Sequence, residues 1–172
     1  LATCDELTGL PNRVRFNQQL ILALKGWARE LHPVVLFYMD IDGFKQVNDQ
    51  YGHPAGDALL REVASRLRAL FTQENVVARL GGDEFTAIMQ ISREHAATLC
   101  QRVIDNIGLP FHYENAEISV GISIGLACAD DPKTPPGKLL SQADRALYHA
   151  KTAGKNTFRF FSLGDPTLPE SG

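Results

Sequence analysis

The chain has 172 residues, of which 44% are hydrophobic and 22% are charged, and its formal net charge is −3. This length suits one compact domain with a sizeable core, and the small net charge provides no field that would gather nucleic acid or anionic lipid. The three cysteines are too widely spaced for a disulfide framework or a zinc site, and no stretch is apolar enough to span a bilayer. We therefore expect a cytoplasmic domain that makes no membrane contact itself, which is compatible with tethering to a membrane protein.

The first half of the chain predicts a helix, a buried strand and a second helix. Apolar residues recur at spacings of three and four over residues 16–31, the pattern of an amphipathic helix. Residues 34–39 are a continuous apolar run leading to Asp40, which is typical of a strand buried on both faces. The polar, glycine-bearing residues 42–57 are predicted to be a loop, with a helix following Pro54.

The second half predicts a hairpin and further alternation of helices and strands. Two apolar runs, residues 76–80 and 85–91, are joined by two glycines and two acids, which predicts a β-hairpin with acids at its tip. Later patterns predict a helix capped by Ser92, a half-buried strand over residues 118–126, a helix over residues 139–150 and a last strand around residues 157–161. Strands interleaved with helices favour an α+β sandwich over a purely parallel sheet.

Acidic residues follow the buried strand and occupy the predicted hairpin tip. Asp40 ends the strand, and Asp83 and Glu84 lie at the tip. If strand and hairpin are neighbours in the sheet, three carboxylates converge at one edge and offer the oxygen ligands that Mg²⁺ prefers. The alternative is a set of solvated turn acids.

Three lysines lie near this predicted cluster in sequence or at the end of the last helix. Lys45 follows Asp40 by five positions, and Lys151 and Lys155 flank Gly154. Lysine ammonium groups hold phosphates as point charges, so the three would suit a triphosphate. Taken singly, a lysine at a helix C-terminus is better explained by its favourable interaction with the helix dipole.

A further polar group follows in the predicted loop and the start of the next helix. It comprises Asn48, His53 and Asp57. A carboxylate accepts two hydrogen bonds side by side, which matches the adjacent N–H donors on guanine and not the edge of adenine. The alternative for Asp57 is a first-turn acid stabilised by the helix dipole.

Six motifs occur in a fixed order along the chain. Residues 79–85 read Arg-Leu-Gly-Gly-Asp-Glu-Phe, and the other motifs lie at residues 5–13, 40–45, 48–57, 123–125 and 143–156. Together they resemble the motifs of the GGDEF diguanylate cyclase family, and residues 81–85 contain that family's signature intact. Six ordered motifs are far more specific than a lone pentapeptide, and the resemblance covers residues from about 5 to 161.

The resemblance implies a fold like the palm of class III nucleotide cyclases, with a central, mostly antiparallel sheet surrounded by helices. It implies that Asp40, Asp83 and the backbone carbonyl of Ile41 bind Mg²⁺, or Mn²⁺ in its place, with assistance from Glu84. Asp83 is also the position credited with accepting the proton of the 3′-hydroxyl. The implied nucleotide contacts are Asn48, His53 and Asp57 for guanine and ribose, and Lys151, Lys155 and the transition-state-stabilising Lys45 for the phosphates.

The activity implied is the condensation of two GTP molecules into cyclic di-GMP with release of pyrophosphate. Each protomer would bind one GTP, so two protomers must meet with two-fold symmetry in a homodimer. We expect residues 1–161 to be the GGDEF domain and residues 162–172 to be a tail or linker. The chain would then be a piece of a longer multidomain protein that also carries a sensor domain, a phosphodiesterase domain or both.

A purely structural dimerisation domain would leave the acidic residues and lysines unexplained, and two other functions stay open at this point. The first is a regulatory GGDEF module that binds GTP and makes no product, which the intact Asp40 and Asp83 argue against. The second is a cyclase that accepts ATP, which Asp57 would disfavour because its paired acceptors suit guanine.

One stretch departs from the family pattern. Many members carry an inhibitory product site, Arg-x-x-Asp, just before the signature, whereas residues 72–75 here read Thr-Gln-Glu-Asn. Both charged anchors are replaced, so we expect no product inhibition through that site.

Overall fold

A computed structural model describes residues 2–26, 32–73, 76–129 and 131–163 of the chain. In chain order the elements are α1 (Arg13–Gly26), β1 (Val34–Asp42), α2 (Phe44–Tyr51), α3 (His53–Leu70), β2 (Val77–Gly81), β3 (Glu84–Gln90), α4 (Arg93–Ile107), β4 (Phe111–Tyr113), β5 (Ala116–Ile118), β6 (Gly121–Cys128), α5 (Pro136–Thr152) and β7 (Phe158–Phe160). The predicted first helix extends to Leu31, but residues 27–31, including Trp27, lie outside the described residues.

The central sheet has five strands in the order β2-β3-β1-β6-β7. Every neighbouring pair is antiparallel except β6 and β7, which run parallel. Strands β4 and β5 form a separate two-stranded sheet. The α+β class and the mostly antiparallel sheet predicted from the sequence are therefore confirmed.

Helices cover both faces of the sheet because β1 is apolar on both faces. Val35, Phe37 and Met39 pack into the larger core cluster, to which α3 and α4 contribute. Leu36 and Tyr38 point the other way, into the cluster formed with α1 and α5. Burying one such aromatic or aliphatic side chain stabilises the fold by about 1.5–3 kcal/mol, so the central strand is anchored from both sides.

The loop predicted over residues 42–57 is wrong, because α2 forms within it and α3 begins at His53. Gly43 and Gly52 lie just before the two helices, with φ angles of 94° and 92° that glycine adopts without strain. Val47 is the only buried residue of α2, so its apolar signal is too short to predict a helix.

The single half-buried strand predicted over residues 118–126 is also wrong. The structure divides it between β5 and β6, and all but the two end residues of β6 are buried. A Cβ on Gly125 would lie 2.1 Å from the backbone nitrogen of Leu147 in α5. Gly125, in the middle of β6, therefore faces a closely packed helix and not solvent.

Some predictions fall on parts of the chain that the structure does not describe. Residues 164–172 of the predicted tail are outside the described ranges, and the boundary at residue 161 stays a prediction. Within the described ranges, none of the helices combines the length and the hydropathy needed to cross a membrane.

Candidate functional site

The hairpin tip lies beside the end of the buried central strand, so the condition on which the predicted convergence of acids depends is met. Asp40 of β1 is paired in register with Glu84 of β3, and the backbone nitrogen of Ile41 donates to the carbonyl oxygen of Asp83 at 3.3 Å. Gly81 and Gly82 turn the chain between β2 and β3 with positive φ angles of 146° and 50°. The turn therefore places Asp83 directly against the C-terminal end of β1.

A cavity of about 230 Å³ opens at this place, and we call it the strand-end cavity. It lies between the end of β1, the start of α2, the hairpin tip and the end of α5. Six residues predicted for the site line it: Asp40, Ile41, Lys45, Asp83, Lys151 and Lys155. The fold therefore gathers residues more than 100 positions apart around one space.

The electrostatics of the strand-end cavity centre on Asp40, which is only 8% exposed. Burial and the neighbouring Asp83 carboxylate raise the pKa of Asp40 to about 6, against the opposing effect of Lys151. The Nζ of Lys151 donates to the Oδ2 of Asp40. The Oδ1 of Asp40 is buried without a hydrogen-bond partner in the described part of the chain.

Lys151 is held in its charged form by the same contact. Burial alone would lower the pKa of Lys151, but the hydrogen bond and the charge of Asp40, with smaller contributions from Asp83 and Asp42, outweigh it and raise that pKa. Two carboxylates that compete for one ammonium group, with one buried oxygen unpaired, fit the donor set for a hard divalent cation.

The third predicted carboxylate is directed elsewhere. The Oε2 of Glu84 accepts a hydrogen bond of 2.9 Å from the hydroxyl of Tyr38, and burial and that bond raise the pKa of the Tyr38 phenol. Glu84 is not among the residues that line the strand-end cavity. In the described ranges, no group of three or more His, Cys, Asp or Glu side chains is arranged to hold a metal ion. The observed arrangement is a pair of carboxylates with Glu84 nearby in register.

The remaining predicted residues lie apart, in what we call the α2–α3 corner: Asn48, His53 and Asp57. Asn48 packs on Gly56 so closely that a Cβ there would lie 1.9 Å from its Oδ1, and that oxygen is buried without a partner among the described residues. His53 and Asp57 are exposed, and none of the three lines the strand-end cavity. Helix α3 has no acid in its first turn, so the dipole alternative for Asp57 is not supported.

A brace from the N-terminal motif supports the hairpin tip. The Nη1 of Arg79 donates to the Oδ1 of Asp5 at 2.8 Å, and its Nε donates to the carbonyl oxygen of Gly82 at 2.9 Å. Asp5 also accepts bonds from the backbone nitrogen and hydroxyl of Thr8. Burial alone would raise the pKa of Asp5, but these partners together lower it. The brace thus connects residues 5–8 to the turn that carries Asp83.

Several residues that shape the site have no role predicted from the sequence. Tyr38 orients Glu84, while Ser123 and the backbone of Asn156 both donate to Asp42. The available signal was a serine at the centre of an apolar strand, because a hydroxyl buried there needs a polar partner.

Residues 72 and 73, at the position of the missing inhibitory motif, line a second cavity of about 490 Å³. Arg68 also lines it, and its Nη2 donates to the carbonyl oxygen of Thr8 at 3.1 Å. Residues 74 and 75 lie outside the described ranges.

Comparison with known proteins gives one consistent picture. A family model described as "Diguanylate cyclase, GGDEF domain" matches residues 2–157. The bifunctional diguanylate cyclase/cyclic di-GMP phosphodiesterase MucR of Pseudomonas aeruginosa is 41% identical over 94% of this chain and 24% of its own length. The diguanylate cyclase TpbB of the same species is 34% identical over 95% of this chain and 38% of its own length. The chain therefore spans well under half of these relatives.

Solved structures agree with the sequence relatives. The GGDEF domain of TpbB superimposes with a TM-score of 0.87 at 34% identity, covering 95% of this chain and 96% of that one. The GGDEF domain of DgcB from Caulobacter crescentus, solved with cyclic di-GMP, gives a TM-score of 0.85 at 30% identity over 93% and 96% of the two chains.

Proposed function

The chain belongs to the GGDEF domain family, and we propose that it is a diguanylate cyclase that condenses two GTP molecules into cyclic di-GMP and pyrophosphate. The observation that carries this proposal is the strand-end cavity. It combines two carboxylates, Asp40 and Asp83, with three lysines at one opening. Adjacent acidic and basic groups of this kind suit a metal-bound triphosphate.

The carboxylates would hold a divalent cation, Mg²⁺ or Mn²⁺. Asp40, Asp83 and the backbone carbonyl of Ile41 are the proposed ligands, and Glu84 would assist from its position beside Asp40 in register. A cation bound there neutralises charge on the α-phosphate and lowers the pKa of the attacking 3′-hydroxyl. The unpaired, buried Oδ1 of Asp40 supports this assignment.

The protein's own groups would carry the rest of the reaction. Lys151 and Lys155 hold phosphate oxygens, and Lys45, which is 86% exposed and weakly paired with Asp49, is free to turn to the same ligand. A carboxylate oxygen of Asp83 accepts the proton of the 3′-hydroxyl. The 3′-oxygen attacks the α-phosphorus, and pyrophosphate leaves. Positioning and charge neutralisation thus supply most of the catalysis.

The α2–α3 corner would hold guanine and ribose. The carboxylate of Asp57 is exposed and could accept two hydrogen bonds from one guanine edge, with Asn48 and His53 alongside. The strand-end cavity would then bind the phosphates, and the α2–α3 corner would bind the base.

The reaction requires two copies of the chain. One protomer offers one strand-end cavity, so two loaded protomers would face each other across a two-fold axis. The rate per mole of protein should therefore rise with protein concentration, and a rate independent of concentration over a hundredfold dilution would contradict a transient dimer.

A second function is favoured by two of the relatives. NbdA of Pseudomonas aeruginosa and PdeR of Escherichia coli are cyclic di-GMP phosphodiesterases, 32% and 33% identical to this chain. In such a protein this domain would bind GTP and regulate a neighbouring domain without making product.

The test is product analysis after incubating the concentrated domain with GTP and either magnesium or manganese chloride. Cyclic di-GMP from the unmodified chain, lost in Asp40→Asn and Asp83→Asn and retained in the control Glu117→Gln, would support the cyclase. Glu117 is an exposed acid on β5, in the separate small sheet. GTP binding without product, even from two copies joined by a flexible linker, would favour the regulatory module. The same assay with ATP tests base selectivity.

A further inference from the structure

The turn between α5 and β7 has an unusual backbone. Gly154, Lys155 and Asn156 all have positive φ angles, of 118°, 64° and 50°. Glycine adopts such angles freely and asparagine tolerates them, but for lysine the left-handed region is unfavourable. Lys155 nevertheless lines the strand-end cavity from this turn. Surrounding contacts must therefore hold the conformation.

One of those contacts is the bond of 3.1 Å from the backbone nitrogen of Lys155 to the carbonyl oxygen of Ala150 at the end of α5. Another comes from Asp42, two residues beyond Asp40 on β1. Its Oδ2 accepts a hydrogen bond of 2.8 Å from the backbone nitrogen of Asn156. The hydroxyl of Ser123, which is fully buried, lies 2.8 and 2.9 Å from the two carboxylate oxygens and fixes the orientation of the carboxylate. Bonds to a charged acceptor are about twice as strong as neutral ones.

The neighbouring strand leaves room for this arrangement. Gly121 of β6 is paired in register with Asp42. A Cβ on Gly121 would lie 2.9 Å from the Oδ1 of Asn156 and 3.3 Å from the Oδ2 of Asp42. The space that a larger residue would fill is thus occupied by the two partners themselves.

We propose that Asp42 is a positioning residue that acts through the backbone of Asn156 to keep Lys155 at the phosphate end of the strand-end cavity. This role rests on the proposed binding of a triphosphate there. It is distinct from a purely electrostatic role, because Asp42 also lines the cavity and its negative charge alone would repel an anionic ligand.

The sign of the effect therefore separates the two roles. The probe is a GTP analogue with a methylene group between its α- and β-phosphates. Its affinity is measured by calorimetric titration into the protein in the presence of magnesium chloride. If Asp42 positions Lys155, Asp42→Ala should weaken binding about tenfold, whereas Asp42→Asn should weaken it only about threefold because its amide oxygen still accepts one bond. If Asp42 acted only through its charge, both variants would bind more tightly.

A double-mutant cycle tests whether the effect passes through Lys155. The affinity of Asp42→Ala/Lys155→Ala should equal that of Lys155→Ala within about twofold, since a missing ammonium group needs no positioning. Free energies of unfolding from urea titrations should fall by the same amount when Asp42 is replaced in either background. If the two substitutions instead reduce affinity independently, so that their effects on the binding free energy add, Asp42 has a structural role and the positioning role is overturned.

Two further outcomes are decisive. If Asp42→Ala does not fold, Ser123→Ala takes its place, because it keeps the carboxylate of Asp42 and removes one hydrogen bond that orients it. Ser123→Ala should weaken binding of the analogue about threefold in the unmodified chain and should have no effect on binding in the Lys155→Ala variant. If the unmodified chain does not bind the analogue at all, the proposed function falls together with this inference. If it binds and the cycle is additive, only the inference falls.

Discussion

The strand-end cavity and the α2–α3 corner carry the two halves of the proposed GTP site, and they are built in different ways. In the cavity, Asp40 is buried, paired with Lys151 and supported from several strands and helices. At the corner, His53 and Asp57 are exposed side chains on one helix. Changes at the cavity should therefore affect folding and binding together, whereas changes at His53 and Asp57 should affect binding alone.

The largest effect is expected from Gly125→Ala, which disrupts the packing of α5 on β6 beside the cavity. The new Cβ would lie 2.1 and 2.2 Å from backbone atoms of Leu147 and Ala143, which cannot rotate away. We expect the free energy of unfolding, measured with urea, to fall by about 3 kcal/mol. The matched control is Gly137→Ala, on α5 itself with no heavy atom within 4 Å, which should stay within about 1 kcal/mol of the unmodified chain. Equal stabilities would mean that α5 moves freely on the sheet.

The next effect tests the charge in the cavity. Lys151→Met removes the ammonium group paired with Asp40, and we expect the rate of cyclic di-GMP formation to fall about 100-fold. Lys138→Met, an exposed lysine near the other end of α5, serves as the control and should retain full activity. A loss of similar size in both variants would point to α5 as a whole and not to Lys151.

A smaller effect is expected at the corner. Asp57→Asn should lower GTP affinity about tenfold, because one paired acceptor becomes a donor. Its free energy of unfolding should change by less than about 0.5 kcal/mol, since the side chain is exposed. Arg61→Gln, one helical turn further along the exposed side of α3, is the control. An unchanged ratio of GTP to ATP affinity would remove Asp57 from base recognition.

The brace between Asp5 and Arg79 gives a pH dependence of stability. The pKa of Asp5 is lowered in the folded chain, so its stabilisation is present above the unfolded value of about 4 and is lost as pH falls through the folded value. Asp5→Asn should cost about 1.5 kcal/mol at pH 7 and progressively less below about pH 4, measured by urea unfolding. Glu6→Gln, at the exposed neighbouring acid, is the matched control and should change the free energy of unfolding at pH 7 by less than about 0.5 kcal/mol.

The smallest expected change concerns product binding at residues 72–75. Because both charged anchors of the inhibitory motif are replaced, micromolar cyclic di-GMP should leave the initial rate unchanged. The variant Thr72→Arg/Asn75→Asp, which restores both anchors, is the comparison. The prediction would be contradicted if cyclic di-GMP inhibited the unmodified chain and Thr72→Trp relieved that inhibition.

Strong local patterns predicted much of the fold. The apolar run before Asp40, the glycine-bearing hairpin and the capped helix after Ser92 each carry a signal within a few residues, and each is confirmed. Helix α2 was missed because only Val47 is buried along its length. The small residues of β6 were assigned to solvent, since alternation cannot distinguish an exposed face from one covered by a close-packed helix.

The sequence by itself determined the family, the type of fold and the candidate residues, because motif order and hydrophobic period are local properties of the chain. The tertiary structure decided which candidates meet. It placed Lys151 on Asp40, directed Glu84 to Tyr38 and left Asp57 on the exposed face of α3. It also brought the backbone nitrogen of Asn156, the residue after Lys155, within hydrogen-bond distance of Asp42. Contacts between residues more than 100 positions apart depend on how β1, β6 and α5 pack, and no local pattern specifies that packing.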